Sequence, residues 1–174
     1  MGIKELDISQ LLLMEKIVDN NVLTNGEFII NLDFPVQKDI RLFSGMGDYE
    51  FRWYIRQSSK VACKITLHIM EKDNLIGLIR VDYCSDLKIH LNPASVNDSV
   101  PESFKRFAGQ EIRGNHVHLS VPGYQELGWA IPITEYPIFP ATFDGTQSSL
   151  SSILDSFAKH VRVSTRIIFE SPVL

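Results

Sequence analysis

From Tyr49 to Tyr83 the chain runs through three successive stretches of strand character. An apolar/polar alternation of period two is accommodated by little other than a β-sheet. In the first stretch Tyr49, Phe51, Trp53 and Ile55 share one face, and Glu50, Arg52, Tyr54 and Arg56 share the other. In the second, Cys63, Ile65, Leu67 and Ile69 alternate with Lys64, Thr66, His68 and Met70. Lys72-Asp73-Asn74 has the composition of a hairpin turn and leads into the third stretch, Leu75 to Tyr83. Strands joined by short polar turns predict an antiparallel meander.

The remainder of the chain is read around that meander. Asp7 or Ser9 can cap a helix that runs to Asn20-Asn21, with a wide apolar stripe of Ile8, Leu11, Leu12, Met14, Ile17 and Val18. Phe28–Leu32 and Ile40–Phe43 read as strands. A long polar insertion between Asn92 and Asn115 suits a binding loop, a lid or a plain surface excursion. Within it Ser99-Val100-Pro101-Glu102 has capping-box spacing and predicts a short helix to about Ala108. Asn115–Val121 and Trp129–Ile131 are strands, and Pro132, Pro137 and Pro140 keep the next stretch extended and out of a central ladder. A second helix starts near Thr146 or Ser148 and places Leu150, Ile153, Leu154, Phe157, Ala158 and Val161 at spacings of three and four. Val163–Phe169 forms a last strand. The expectation is one α+β domain over residues 1–174, with a largely antiparallel meander sheet and an N-terminal and a C-terminal helix packed on one face.

Composition narrows the function classes. The formal charge of −4 gives no overall field toward nucleic acid or an anionic membrane, although a local basic patch remains open. No apolar run approaches the roughly 20 residues of a membrane span, and the start lacks a basic leader, so a cytoplasmic location without membrane association is expected. Cys63 and Cys84 read as reduced core thiols, Cys63 because it shares the apolar parity of Ile65 and Leu67. Gly45-Met46-Gly47 is a turn.

The most distinctive constellation is His116-Val117-His118. On a strand both imidazoles point to one face while Val117, Leu119 and Val121 point to the core, which directs the histidines toward solvent or a cleft. Such a pair can ligate a metal, act as general acid and base on one bond, or simply occupy a wet face. A metal would need further ligands from His68, His90, Asp82 or Asp86. With no Cys cluster or HExxH helix, no metal and no cofactor is expected. The same parity gathers Arg52, Arg56, Lys64, His68, Arg80 and Asp82 on the face of His116 and His118, a local positive surplus that Glu50 reduces. Imidazoles beside guanidinium groups suit phosphodiester chemistry, and the blander reading is a solvated face whose long basic side chains blunt aggregation. Tyr124 and Trp129 suit either base stacking or core packing.

Several of these pieces resemble an uncharacterised bacterial domain family. They are His116-Val117-His118-Leu119, Pro122-Gly123-Tyr124 and Gly128-Trp129-Ala130-Ile131-Pro132, with Leu78-Ile79-Arg80-Val81-Asp82 and His90-Leu91-Asn92-Pro93 upstream. The resemblance spans roughly residues 49–133 and departs at Val121-Pro122, where a charged residue would stand before the glycine. It implies a coherent fold, draws attention to His90, His116 and His118, and carries no activity. The functional expectation is an RNA-binding or ribonuclease-like protein of toxin or mobile-element type. His116, His118 and Arg80 would act on the phosphodiester, and Arg52, Lys64, His68, His90 and Tyr124 would bind. The alternatives are a non-catalytic inhibitor or accessory protein that docks on a protein partner, and a metal-dependent enzyme using the histidine pair. Whether the chain is an enzyme, and its oligomeric state, are left open by the sequence.

Overall fold

The structure is a computed structural model, and it describes residues 7–84 and 89–171. Its strands are β1 (Lys16–Val18), β2 (Phe28–Asn31), β3 (Gln37–Ser44), β4 (Glu50–Gln57), β5 (Ile65–Glu71), β6 (Ile76–Tyr83), β7 (His90–Leu91), β8 (Glu111–Ile112), β9 (His116–Leu119), β10 (Trp129–Pro132) and β11 (Ile167–Glu170). Seven of them form one sheet in the order β1-β3-β4-β5-β6-β9-β10, with every neighbouring pair antiparallel. The helices are α1 (Ile8–Leu13), α2 (Glu102–Lys105) and α3 (Gln147–His160). The fold is therefore α+β, built on an antiparallel meander as the alternation predicts. Among the described residues no helix is long and apolar enough to cross a membrane.

The core lies on one side of the sheet. Phe51, Trp53 and Ile55 of β4, Ile65, Leu67 and Ile69 of β5, Ile79, Val81 and Tyr83 of β6, and Val117 of β9 are all buried there. Leu150, Ile153, Leu154, Phe157 and Ala158 of α3 and Leu11 of α1 join the same cluster. Phe157 stacks on Trp53 with ring centroids 5.5 Å apart. The hydroxyl of Thr146 caps α3 by accepting from the Ser149 amide.

The hairpin between β5 and β6 is closed by a side chain. The Glu71 carboxylate accepts from the amides of Asp73 and Asn74 at 2.8 and 2.9 Å. Beyond the turn β6 carries a bulge. Met70 pairs with Gly77 and Ile69 with Ile79, so Leu78 is an extra residue in the ladder.

Two expectations about the helices are corrected, and the pairing of two expected strands and the burial of Cys63 are made specific. The N-terminal helix stops at Leu13, well short of Asn21, because Lys16 folds back on it. The Lys16 Nζ lies 2.8 Å from the carbonyl oxygens of Leu11 and Met14, and 3.1 Å from those of Leu12 and Val161. These contacts satisfy carbonyls that further helical turns would have used, and the chain leaves as β1. Ser99 does not cap α2. Asn97 takes the Ser99 amide instead, Pro101 holds the cap position without a side-chain bond, and the helix is only four residues long. The segments read as lone strands near 28 and 167 pair with each other in parallel, outside the main sheet. Cys63 is half-buried, ahead of β5, and no disulfide joins it to Cys84.

The insertion after β7 is a fixed flank of the sheet. Asn92 mimics a strand residue along the outer edge of β10: its Oδ1 accepts from the Ala130 amide and its Nδ2 donates to the Ala130 carbonyl, both at 2.7 Å. Val100, Val121 and Trp129 form a small second core, with Phe104, Ala108 and Tyr124 against it. This decides the roles of the two aromatics. Trp129 is fully buried, and the Tyr124 hydroxyl donates to Ser95 and accepts from the Asn97 amide.

Candidate functional site

Strand register lays two rows of side chains across the polar face of the sheet. Tyr54, His68, Arg80 and His118 are opposite one another from β4 to β9, and so are Arg56, Thr66, Asp82 and His116. Parity alone placed these residues on one face, and the register brings Asp82 directly beside His116.

The histidines do share one face, but they are not open to solvent. His116, His118 and Asp82 are only 2 %, 6 % and 3 % exposed. What covers them is loop rather than sheet. Gly114 adopts a φ of +71°, and its carbonyl accepts from His116 Nδ1 at 2.7 Å. The turn Gln125–Gly128 lies over the other side. Its Leu127 amide donates to Ser120 Oγ at 2.8 Å, and its Leu127 carbonyl accepts from His118 Nδ1 at 3.2 Å. Leu127 has a φ of +52°, a left-handed conformation costing a leucine roughly 1–3 kcal/mol unless its surroundings impose it.

These contacts assign the tautomers. A carbonyl oxygen only accepts, so each Nδ1 carries its hydrogen and, in the neutral rings, each Nε2 presents a lone pair. The two Nε2 atoms lie 2.9 Å apart. Asp82 Oδ2 stands 3.3 Å from that of His118 and 3.7 Å from that of His116. Three electron-rich atoms thus converge on one point, an arrangement that calls for a positive charge among them.

Asp82 is held as a carboxylate. Burial opposes its charge, but the Thr66 hydroxyl on Oδ1 at 2.5 Å and the Arg80 guanidinium outweigh it. Together they keep the carboxyl well below its usual range. Arg80 Nη2 lies 2.7 Å from Oδ2. Burial pushes the His116 imidazole below its ordinary value despite the Gly114 bond, and burial does the same to His90. Burial, with the nearby Arg80 charge, brings His68 down to about 4.

The remaining sequence candidates divide by distance from this cluster. His90 sets its ring edge-on to His118 at 4.7 Å, and its Nε2 donates to the Gly128 carbonyl at 3.0 Å. His68 is one position along the row, stacked on Tyr54 at 5.9 Å. Arg52 lies on β4, two strands from Asp82, and pairs with Glu50 and Asp39. Lys64 precedes β5 and makes no ion pair among the described residues. Tyr124 belongs to the insertion's own packing. Asp86 lies outside the described residues. Much of the basic side of this face is held in ion pairs: Glu50 takes Arg41, Arg52 and Lys72, Asp39 takes Arg52, and Asp82 takes Arg80. Sequence reasoning missed Thr66 as the support of Asp82, although its parity with His68 was a usable signal. It also missed the Gly114 and Leu127 carbonyls, which as backbone groups leave no trace in residue identity.

Among the described residues, Asp82, His116 and His118 are the only cluster of three or more His, Cys, Asp or Glu whose ligand atoms could share one metal ion. An antiparallel sheet with two imidazoles and a carboxylate buried on its polar face defines a sheet protein with a candidate metal centre. The chain belongs to the family of unknown function DUF6978, which it matches over residues 3–163. Membership of a family without an assigned activity agrees with the resemblance drawn from its motifs. No curated protein and no solved structure matches it.

Proposed function

We propose that this chain is a metal-binding protein that holds one divalent transition-metal ion through His116 Nε2, His118 Nε2 and Asp82 Oδ2. The observation that carries the reading is the convergence of these three atoms while both Nδ1 groups are tied to backbone carbonyls. Ligating imidazoles almost always donate their second nitrogen to such a partner, which fixes the ring and its tautomer. The distances fit as well. Sides of 2.9, 3.3 and 3.7 Å fix the triangle of donor atoms. Its circumscribed circle has a radius of about 1.9 Å, so an ion can stand about 2.1 Å from all three atoms, roughly 0.8 Å out of their plane. Two nitrogens and one oxygen suit zinc or ferrous iron. Three protein ligands leave coordination open, where a bound ion supplies Lewis acidity and a water of lowered pKa.

Metal-free cleavage of RNA by the two imidazoles is less well supported. An acid–base pair must stand on either side of the scissile phosphodiester, and nitrogens 2.9 Å apart leave no room for one between them. The test is calorimetric titration of metal-free protein with Zn2+ and Co2+, with metal content measured after dialysis. One ion per chain is expected, with affinity reduced at least about a hundredfold in His118→Ala and Asp82→Asn while circular dichroism reports an intact fold. Folded protein that takes up no transition metal, or His118→Ala that binds it as tightly as wild type, overturns the proposal.

A further inference from the structure

The metal-centre reading leaves the surroundings of Asp82 only partly explained, and the inference here rests on that reading. Six buried polar side-chain atoms make no hydrogen bond of good geometry among the described residues, and three belong to one patch: His68 Nε2, Arg80 Nε and Asp82 Oδ2, the last of which has its ion pair with Arg80. Asp82 Oδ2 is accounted for by the ion. His68 Nε2 and Arg80 Nε are not, and these two residues face each other across β5 and β6.

Charge points to what they accept. Two neutral imidazoles and one carboxylate leave a divalent ion with a net positive charge. The Arg80 guanidinium, 2.7 Å from the same carboxylate, adds another. Burial weakens the screening of both. Among the described residues no second carboxylate joins the ligand cluster. Glu126 is the acidic group on the adjoining wall, and its carboxylate accepts from the Gly77 amide at 2.9 Å.

Arg80 also supplies access. Its side chain is 31 % exposed where that of Asp82 is 5 %, so it connects the buried centre to solvent. A hollow of about 500 Å3 is lined by His68, which faces Arg80 across the strands, and by Leu127, whose carbonyl meets His118. A guanidinium has five N–H groups in a planar fork and matches paired oxygens. We infer that the metal-loaded centre binds a small oxyanion, the phosphoryl or carboxylate group of a substrate. One oxygen lies on the ion and a second on Arg80, with His68 as a further donor.

The experiment uses Co2+-loaded full-length protein, whose visible absorption reports changes at the ion. It is titrated separately with inorganic phosphate and with acetate at constant ionic strength. Saturable perturbation by either anion is expected, and the tighter of the two assigns the group as phosphoryl or carboxylate. With each protein first saturated with Co2+, Arg80→Gln should weaken anion binding at least about tenfold, and His68→Phe should weaken it less. Absorption unmoved by both anions, or moved equally in Arg80→Gln, overturns this inference and leaves the metal centre standing. Protein that binds no Co2+ in the first place removes both.

Discussion

Replacing Lys16 by methionine tests the account of how the N-terminal helix ends. The wild-type amino group is fully buried, within 2.8–3.1 Å of four carbonyl oxygens from α1, Met14 and the end of α3, and 4.6 Å from the centre of the Phe51 ring. Hydrogen bonds to a charged group contribute roughly 1.5–3 kcal/mol each, and the cost of desolvating the amine offsets much of their sum. Methionine has similar length and leaves little cavity, but it donates nothing, so the carbonyls lose their donor in a dry environment. The expected loss is about 3 kcal/mol, near the lower end of the range for removing one partner from a buried charged network. Urea unfolding followed by the fluorescence of Trp53 and Trp129, both fully buried, measures it directly. The pH dependence has a definite sign. Burial, with the nearby Arg162 charge, pushes the folded amino group from 10.5 to about 7. Between those values the unfolded chain holds the extra proton, so wild-type stability rises with pH. The variant lacks this rise, and its deficit should widen from pH 7 toward 10. A loss under about 1 kcal/mol, or a gain such as hydrophobic replacements of buried ionic groups sometimes produce, would refute the structural role argued for Lys16.

Two other measurements follow from the core and the polar face. Phe157→Ala removes a fully buried ring stacked between Trp53 and Phe139 and should cost about 3–5 kcal/mol in the same unfolding assay, and a loss under about 1 kcal/mol would mean the ring is not packed there. His68 titrates near 4 in the fold against its ordinary 6.5, so the native state binds fewer protons in that window and stability falls as pH drops from 6.5 to 4. His68→Phe keeps a ring beside Tyr54 and should show a shallower acid loss than wild type, and parallel curves would contradict the assignment.

The residues that were legible in the sequence are those whose environment follows from local periodicity. Phe51, Trp53 and Ile55 are buried because parity on β4 maps directly onto the two sides of a sheet, and Leu150 to Phe157 because a spacing of three and four maps onto one helical face. What was not legible depends on partners distant in the chain. The end of α1 is set partly by the Val161 carbonyl, 145 residues from Lys16. The pairing of β2 with β11 joins segments near opposite ends of the described chain. At the site, parity correctly placed His116, His118, Arg80 and Asp82 together but could not reveal that loops roof them over. It also could not rank Asp82 above His68 or His90 as a ligand, because that choice needs the register between β6 and β9. The ion pairs of Arg52 with Asp39 and of Glu50 with Arg41 were out of reach for the same reason, since both partners enter from a strand whose pairing is not written in its own residues.

The bulge at Leu78 has a consequence for how this hairpin tolerates changes of length. Counted back from the Glu71–Ile76 pair without it, Arg80 would stand opposite Leu67 and Asp82 opposite Ile65, on the core side, while Ile79 and Val81 would turn to the polar side. The bulge therefore absorbs the extra residue and keeps Asp82 in phase with His116. Removing Leu78 alone would leave Gly77 opposite Met70 and Ile79 opposite Ile69, so a regular ladder would keep both faces of β6 as they are. Removing one further residue of β6 with it would turn every position beyond to the other face and break the site and the core together. The strand thus tolerates the loss of one residue at the bulge but not of two, an asymmetry that the pleat imposes on any variant of this chain.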